Sequence, residues 1–134
     1  MWKDFGEYIA TFIPDRKFNV GEVAIGHFYF VSDYLNKKDN VNIIKTDIEP
    51  SREDIIKDDL TNPDYDLYKN LDLIYSIRPP HELQPYILNL ARNIKSYLII
   101  KPLTGENLNP KIDIMKMKNY KKASFYVYDF KDNE

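Results

Sequence analysis

Polar and turn-forming residues gather where the apolar runs of this chain stop. Gly26-His27 follows Val20–Ile25, Asp47 follows Asn42–Thr46, and Asp58-Asp59 follows Asp54–Lys57. Ser76 to His81 closes the run that begins at Leu71, and Lys101 to Gly105 closes the run that begins at Ser96. A carboxylate such as Asp47, Asp58 or Asp59 accepts hydrogen bonds from hydroxyl and amino groups, or caps a turn. A glycine turn lets the backbone approach a ligand closely, and a helix N-terminus behind it favours polar or negative groups. Arg78, between an apolar run and Pro79-Pro80, is a stiffly held guanidinium suited to a carboxylate or phosphate, or to an ion pair with an acid such as Asp58. Glu22 lies inside an apolar run, where it pairs with a lysine or with backbone amides, or reaches a ligand. His81 serves the first turn of a helix or acts as a base. His27, His81 and Asp47 share no metal-ligand spacing, so no metal site is expected.

The elements that must position these residues follow from hydrophobic spacing. Trp2, Phe5, Tyr8, Ile9 and Phe12 predict a helix over residues 2–12 of an N-terminal segment 1–13, ended by Pro14. Val20–Ile25 reads as a strand, Gly26 as its turn, and His27–Lys38 as a helix. Asn42–Thr46 and Asp54–Lys57 read as strands two and three. Asn62 and Pro63 then supply an N-cap and a first-turn proline for a short helix ending near Lys69. Leu71–Ile77 is the strongest strand. Leu83, Tyr86, Ile87, Leu90, Ala91 and Ile94 make one helix face, starting near His81 because Pro85 is tolerated in a first turn. Ser96–Lys101 is strand five. Lys111–Met117 and Ala123–Phe130 alternate around Asn119–Lys122, which predicts a hairpin over residues 111–130.

Strands alternating with helices imply parallel β-α-β units with right-handed crossovers, hence a three-layer α/β sandwich over a core of residues 20–105. The 134 residues suit one domain, 1–134, with 43% apolar and 14% aromatic residues to fill a core. Nineteen Lys and Arg against 21 Asp and Glu give a net charge of -2, which argues against a duplex-DNA binder. With no Cys there is no disulfide framework or thiolate nucleophile. No apolar run approaches the ~18 residues of a membrane span, and the first residues lack a signal-peptide pattern, so a cytoplasmic protein is expected. Charge is unevenly spread: residues 32–72 hold eleven acids and six bases, while residues 111–131 hold six Lys and two Asp. That basic hairpin, with Tyr120, Phe125, Tyr126 and Tyr128, has aromatics interleaved as in single-strand RNA binders. Edge strands also carry lysine simply to discourage pairing, and no RNA partner is expected.

Glu22-Val-Ala-Ile-Gly26, Asp47 and Asp58-Asp59-Leu60 resemble the first three motifs of Rossmann-like S-adenosylmethionine-dependent methyltransferases. The segment Asp72–Tyr86, DLIYSIRPPHELQPY, together with Ile99–Glu106, IIKPLTGE, resembles the signature of an archaeal group known as uncharacterised protein family 0146. The resemblance implies a class I methyltransferase-like sheet of order 3-2-1-4-5, extended beyond strand five by the hairpin, through whose edge a homodimer can form. It also implies an adenosyl ligand, S-adenosylmethionine or a relative, with Asp47 on the ribose and Asp58 or Asp59 on the adenine amino group. Glu22, Gly26, His27 and Ser76 join that cofactor set, and Arg78, Pro79, Pro80 and His81 face a substrate.

Departures from the pattern qualify that picture. Ala24 and Phe28 stand where the methyltransferase turn has glycines, and Phe28 fills the space for a methionine tail unless its ring points into the core. Arg78 stands where amino-methyltransferases place a hydrogen-bond acceptor, a role a guanidinium cannot play. Two functions follow: an adenosyl-binding domain, as a reduced methyltransferase if it is an enzyme, or a degenerate, non-catalytic interaction or ligand-sensing module.

Overall fold

The computed structural model describes residues 2–102 and 108–133, so Thr104 and Gly105 fall outside it. Its helices are α1 (Trp2–Ala10), α2 (Phe30–Asn36), α3 (Tyr65–Tyr68) and α4 (Gln84–Ile94). Its strands are β1 (Phe18–Glu22), β2 (Val41–Asp47), β3 (Ile56–Lys57), β4 (Leu73–Ile77), β5 (Tyr97–Lys101), β6 (Lys116–Tyr120) and β7 (Ala123–Tyr128). They form one sheet of order β3-β2-β1-β4-β5-β7-β6, parallel from β3 to β5 and antiparallel through β7 and β6. This is the expected α/β order, with the hairpin added beyond β5.

Each face of the sheet is covered, which is why β4 is buried at every position. On one face Phe5, Ile9, Val31 and Leu35 from α1 and α2 pack on Val20, Leu73, Tyr75 and Ile99. On the other, Tyr68 of α3 and Ile87, Leu90 and Ala91 of α4 pack on Ile74, Leu98 and Ile100. Helix α4 ends at Lys95 in the left-handed region, φ +57°, a common helix stop.

Several boundaries differ from those the sequence predicts, for local reasons. Strand β1 runs two residues earlier at its start and stops at Glu22, because Ala24 (φ +52°) and Gly26 (φ +61°) turn the chain. Val23 and Ile25 are buried in that turn, so their apolar character reflects packing without strand geometry. Asp64, not Asn62, caps α3, accepting from the Asp66 amide at 3.1 Å. Residues His81–Leu83 form a 3-10 turn ahead of α4. The first arm of the hairpin starts at Lys116, five residues late, because Pro110–Ile112 forms a 3-10 turn that buries Ile112. Among the described residues no helix is long and apolar enough to cross a membrane.

Candidate functional site

A cavity of about 510 Å³ opens at the carboxyl ends of the parallel strands. That is where a sheet of this class binds ligands, next to the point at which strand order reverses between β1 and β4. Four strand ends build its walls: the turn after β1 with Gly26, His27 and Phe28, the end of β2 with Asp47, the segment after β3 with Asp58, Asp59 and Leu60, and the end of β4 with Arg78 and Pro80.

Gly26 is the floor. Its φ of +61° suits glycine, and a Cβ placed there would meet nothing within 4 Å, so the space above it is open. The turn is pinned from the β2 side. The Gly26 amide donates to Asp47 Oδ2 at 2.8 Å, and the Ser51 hydroxyl donates to the Gly26 carbonyl at 2.7 Å. Ser51 in turn lies 2.5 Å from the Tyr29 hydroxyl, and the Arg52 guanidinium covers the Tyr29 ring at 4.1 Å. Arg52 also pairs with Asp54, which pairs with Lys45 of β2 and is held well below the usual carboxylate range.

The three acids are fixed in direction by their own neighbourhoods. Asp47 Oδ1 accepts from the Glu49 amide at 2.9 Å, so each of its oxygens holds one bond and keeps a lone pair. Asp58 accepts from the Tyr68 hydroxyl at 2.6 Å and from the Asp64 amide at 3.1 Å. Asp59 Oδ1 takes both the hydroxyl and the amide of Thr61, at 2.7 and 2.9 Å, and these bonds lower its pKa. Asp59 Oδ2 makes no bond among the described residues.

Arg78 stands across the cavity. Its backbone is left-handed, φ +52°, and its amide donates to the Lys101 carbonyl at 2.6 Å. Its guanidinium lies 5.3 Å from the Trp2 ring and 5.2 Å from the Phe28 ring. No carboxylate pairs with it among the described residues, and Asp58 is engaged elsewhere. The Phe28 ring, 4.7 Å from Trp2, packs partly against the core cluster of α1 and α2 while lining the cavity, and it does not come within 4 Å of a Cβ placed at Gly26.

Of the residues expected in a site, Gly26, His27, Asp47, Asp58, Asp59, Arg78 and Pro80 line this cavity together. Glu22, Ser76, Pro79 and His81 are not among its lining. Ser76 is buried, and its hydroxyl donates to the Val23 carbonyl at 2.7 Å. Glu22 is fully buried beside Lys45 and Tyr75 in register. It accepts from the Tyr75 hydroxyl at 2.6 Å, its second oxygen has no partner, and burial pushes its carboxyl up to about 8. Pro79 is buried and His81 is exposed at the start of its turn, so the two histidines do not share the cavity. Among the described residues no cluster of three His, Cys, Asp or Glu could hold a metal.

Sequence reasoning missed the apolar lining from Ile48, Ile77 and Leu83 and the part of Trp2. Ile48 and Ile77 flank Asp47 and Arg78, so adjacency could have found them. Trp2 is brought in only by tertiary packing.

Comparison with known proteins agrees with this architecture. The model of an uncharacterised protein family, UPF0146, matches residues 2–130. A UPF0146 protein of Methanothermobacter thermautotrophicus is 41% identical over 128 residues, covering 96% of this chain and 95% of the relative. One from Archaeoglobus fulgidus is 34% identical over 124 residues, covering 89% and 91%. Among solved structures, a SAM-dependent methyltransferase from Aquifex aeolicus superposes with a TM-score of 0.61 at 16% identity, covering 91% of this chain and 86% of that one. At that identity the likeness is one of fold.

Proposed function

The chain belongs to the uncharacterised protein family UPF0146, and on that premise we propose that it binds an adenosyl ligand, S-adenosylmethionine or a close relative, in the cavity over Gly26. The observation that carries this reading is the open space directly above Gly26, where a Cβ would meet nothing within 4 Å, in a cavity lined by Asp47 and Arg78. Asp47 retains an acceptor lone pair on each oxygen for ribose hydroxyls. The free Oδ2 of Asp59, or Asp58 beside it, accepts from an adenine amino group, with Leu60 and Ile48 as apolar walls for the base. Three carboxylates against one guanidinium make the lining unfavourable for a polyphosphate, so ATP is a poor ligand.

When bound, S-adenosylmethionine supplies an electrophilic methyl group. The contribution of this chain is placement, holding the adenosyl group by bonds already fixed in direction, so that little ordering remains to be done on binding. The side of the cavity beyond Arg78, at Pro80 and Leu83, is where a second molecule would enter. Arg78 offers no acceptor to an incoming amine, which disfavours amine methylation and leaves the second reading, a non-catalytic ligand-sensing module, using the same cavity.

Thermal unfolding with S-adenosylmethionine, S-adenosylhomocysteine, ATP and NAD tests the proposal. A ligand at a hundred times its Kd stabilises by about 2.7 kcal/mol. At this chain length that raises Tm by roughly 5–15 °C. The expected result is a rise with the two adenosyl-sulfur ligands that is lost in Asp47→Ala. No rise with either would overturn it.

A further inference from the structure

Arg78 is a charged group without a charge partner. Its guanidinium rests against two aromatic rings, Trp2 and Phe28, one from α1 and one from the turn after β1. Cation–π contacts of this kind hold the guanidinium in place and occupy none of its N–H donors, which can grip a carboxylate bidentately on another molecule. The backbone is equally committed. A non-glycine residue at φ +52°, followed by two prolines and tied by its amide to Lys101, is a costly conformation held by its surroundings, and such strain gathers at ligand sites. Among the described residues no acid answers this cation, although three line the same cavity.

The strand order says how far away those acids are. Adjacent strands lie about 4.8 Å apart, so the end of β2, with Asp47, and the end of β4, with Arg78, are separated by roughly 10 Å, with Gly26 between them. The cavity is therefore a slot with acceptors at one end, an open floor, and a guanidinium at the other. An adenosyl thioether with an amino-acid tail has the same polarity. From its ribose hydroxyls to its terminal carboxylate runs a chain of about seven bonds of about 1.5 Å, spanning roughly 9 Å when extended.

We propose that Arg78, braced by Trp2 and Phe28, receives the carboxylate of the amino-acid tail of the bound adenosyl ligand, and is thereby the residue that selects tailed adenosyl compounds over tailless ones. This rests on the adenosyl reading above and deepens it. The tail crosses the open floor at Gly26 with its carboxylate on the guanidinium fork. Trp2 and Phe28 act as positioning residues that hold the fork in place.

Calorimetric titration of the full chain with S-adenosylhomocysteine and with 5′-methylthioadenosine tests it, since the second carries the same adenosine and sulfur but a methyl in place of the tail. The wild-type chain should bind the tailed ligand more tightly. Arg78→Ala should weaken it by about tenfold or more, the scale of a charge-assisted hydrogen bond, while changing the tailless ligand by less than about twofold. Arg78→Gly, which suits the left-handed backbone, should do the same and guards against misfolding of the alanine variant. Arg78→Lys should recover only part of the loss, because it keeps the charge without the fork. Equal loss of both ligands, or loss of neither, would overturn the assignment of the tail to Arg78 and leave adenosyl binding standing. Failure of the wild-type chain to bind either ligand would overturn the adenosyl reading and this inference with it.

Discussion

At the cavity end of the sheet, Asp47, Asp58 and Asp59 each accept a bond from the backbone amide of a following segment, Glu49, Asp64 and Thr61 respectively. At the far edge, the lysines of β6 stand in solvent on a strand exposed at its first four positions. Both regions are strongly charged in the sequence, one acidic and one basic, and charge density alone does not tell them apart. What separates them is whether the charge is held. A carboxylate fixed by amide donors presents its remaining lone pairs in one direction before any ligand arrives, which is how binding avoids an ordering cost. A solvated lysine on an edge strand is screened by water and salt and has no fixed direction.

That contrast can be broken or sharpened by substitution. The largest effect is expected at the buried end of β1, at Glu22. Its carboxyl is raised from 4.5 to about 8 by burial, so the folded chain holds the proton more tightly than the unfolded chain does. Its contribution to stability is therefore fully present below the ordinary carboxylate range and is lost as pH rises toward 8. The slope approaches about 1.4 kcal/mol per pH unit in that window. Denaturant unfolding between about pH 5 and 8 should show this decline, and Glu22→Gln should flatten it. An unchanged slope in the variant would remove Glu22 from the account.

Next in size is Gly26→Val. A side chain at φ +61° costs about 1–2 kcal/mol in midpoint stability, and the added methyls project into the open space. The fold should survive with a lower Tm, and adenosyl binding should be lost; a variant that binds normally would place the ligand elsewhere. Tyr68→Phe comes third. It removes the hydroxyl that bridges Thr46 and Asp58, and unfolding should show a loss of about 1 kcal/mol. The smallest effect belongs to the other side of the comparison. Lys116→Ala and Lys118→Ala should each change stability by less than about 0.5 kcal/mol and leave ligand affinity alone. A large loss of ligand affinity there would mean that the hairpin belongs to the site.

Much of this was readable from residue order. Hydrophobic spacing marks out the strands and helices, and Gly26, Asp47, Asp58, Asp59 and Arg78, which follow successive strands in the sequence, line one cavity in the fold. Strand boundaries differ from the apolar pattern where buried residues lie outside regular secondary structure. Val23 and Ile25 are apolar because they are buried in a turn, and Ile112 and Met115 because they pack under α4, outside any strand. Glu22 and Ser76 occupy strand ends near the cavity, but their side chains are buried, Glu22 on the Tyr75 hydroxyl with one oxygen unpartnered and Ser76 on the Val23 carbonyl, a distinction that depends on which face each residue points to. Trp2 was invisible as a site residue for a different reason. Its contact with Arg78 spans most of the chain and exists only once α1 has packed across the sheet.

The central claim is that an adenosyl ligand lies over Gly26, between Asp47 and Arg78. Amide-resolved NMR titration of the full chain with S-adenosylhomocysteine tests it most directly, because the amides of Gly26 and Glu49 donate to Asp47 and that of Thr61 donates to Asp59. The account predicts that these three resonances, with those of Phe28 and Arg78, move first and furthest, while those of β6 stay in place. Shifts confined to the hairpin, or none at saturating ligand, would contradict it.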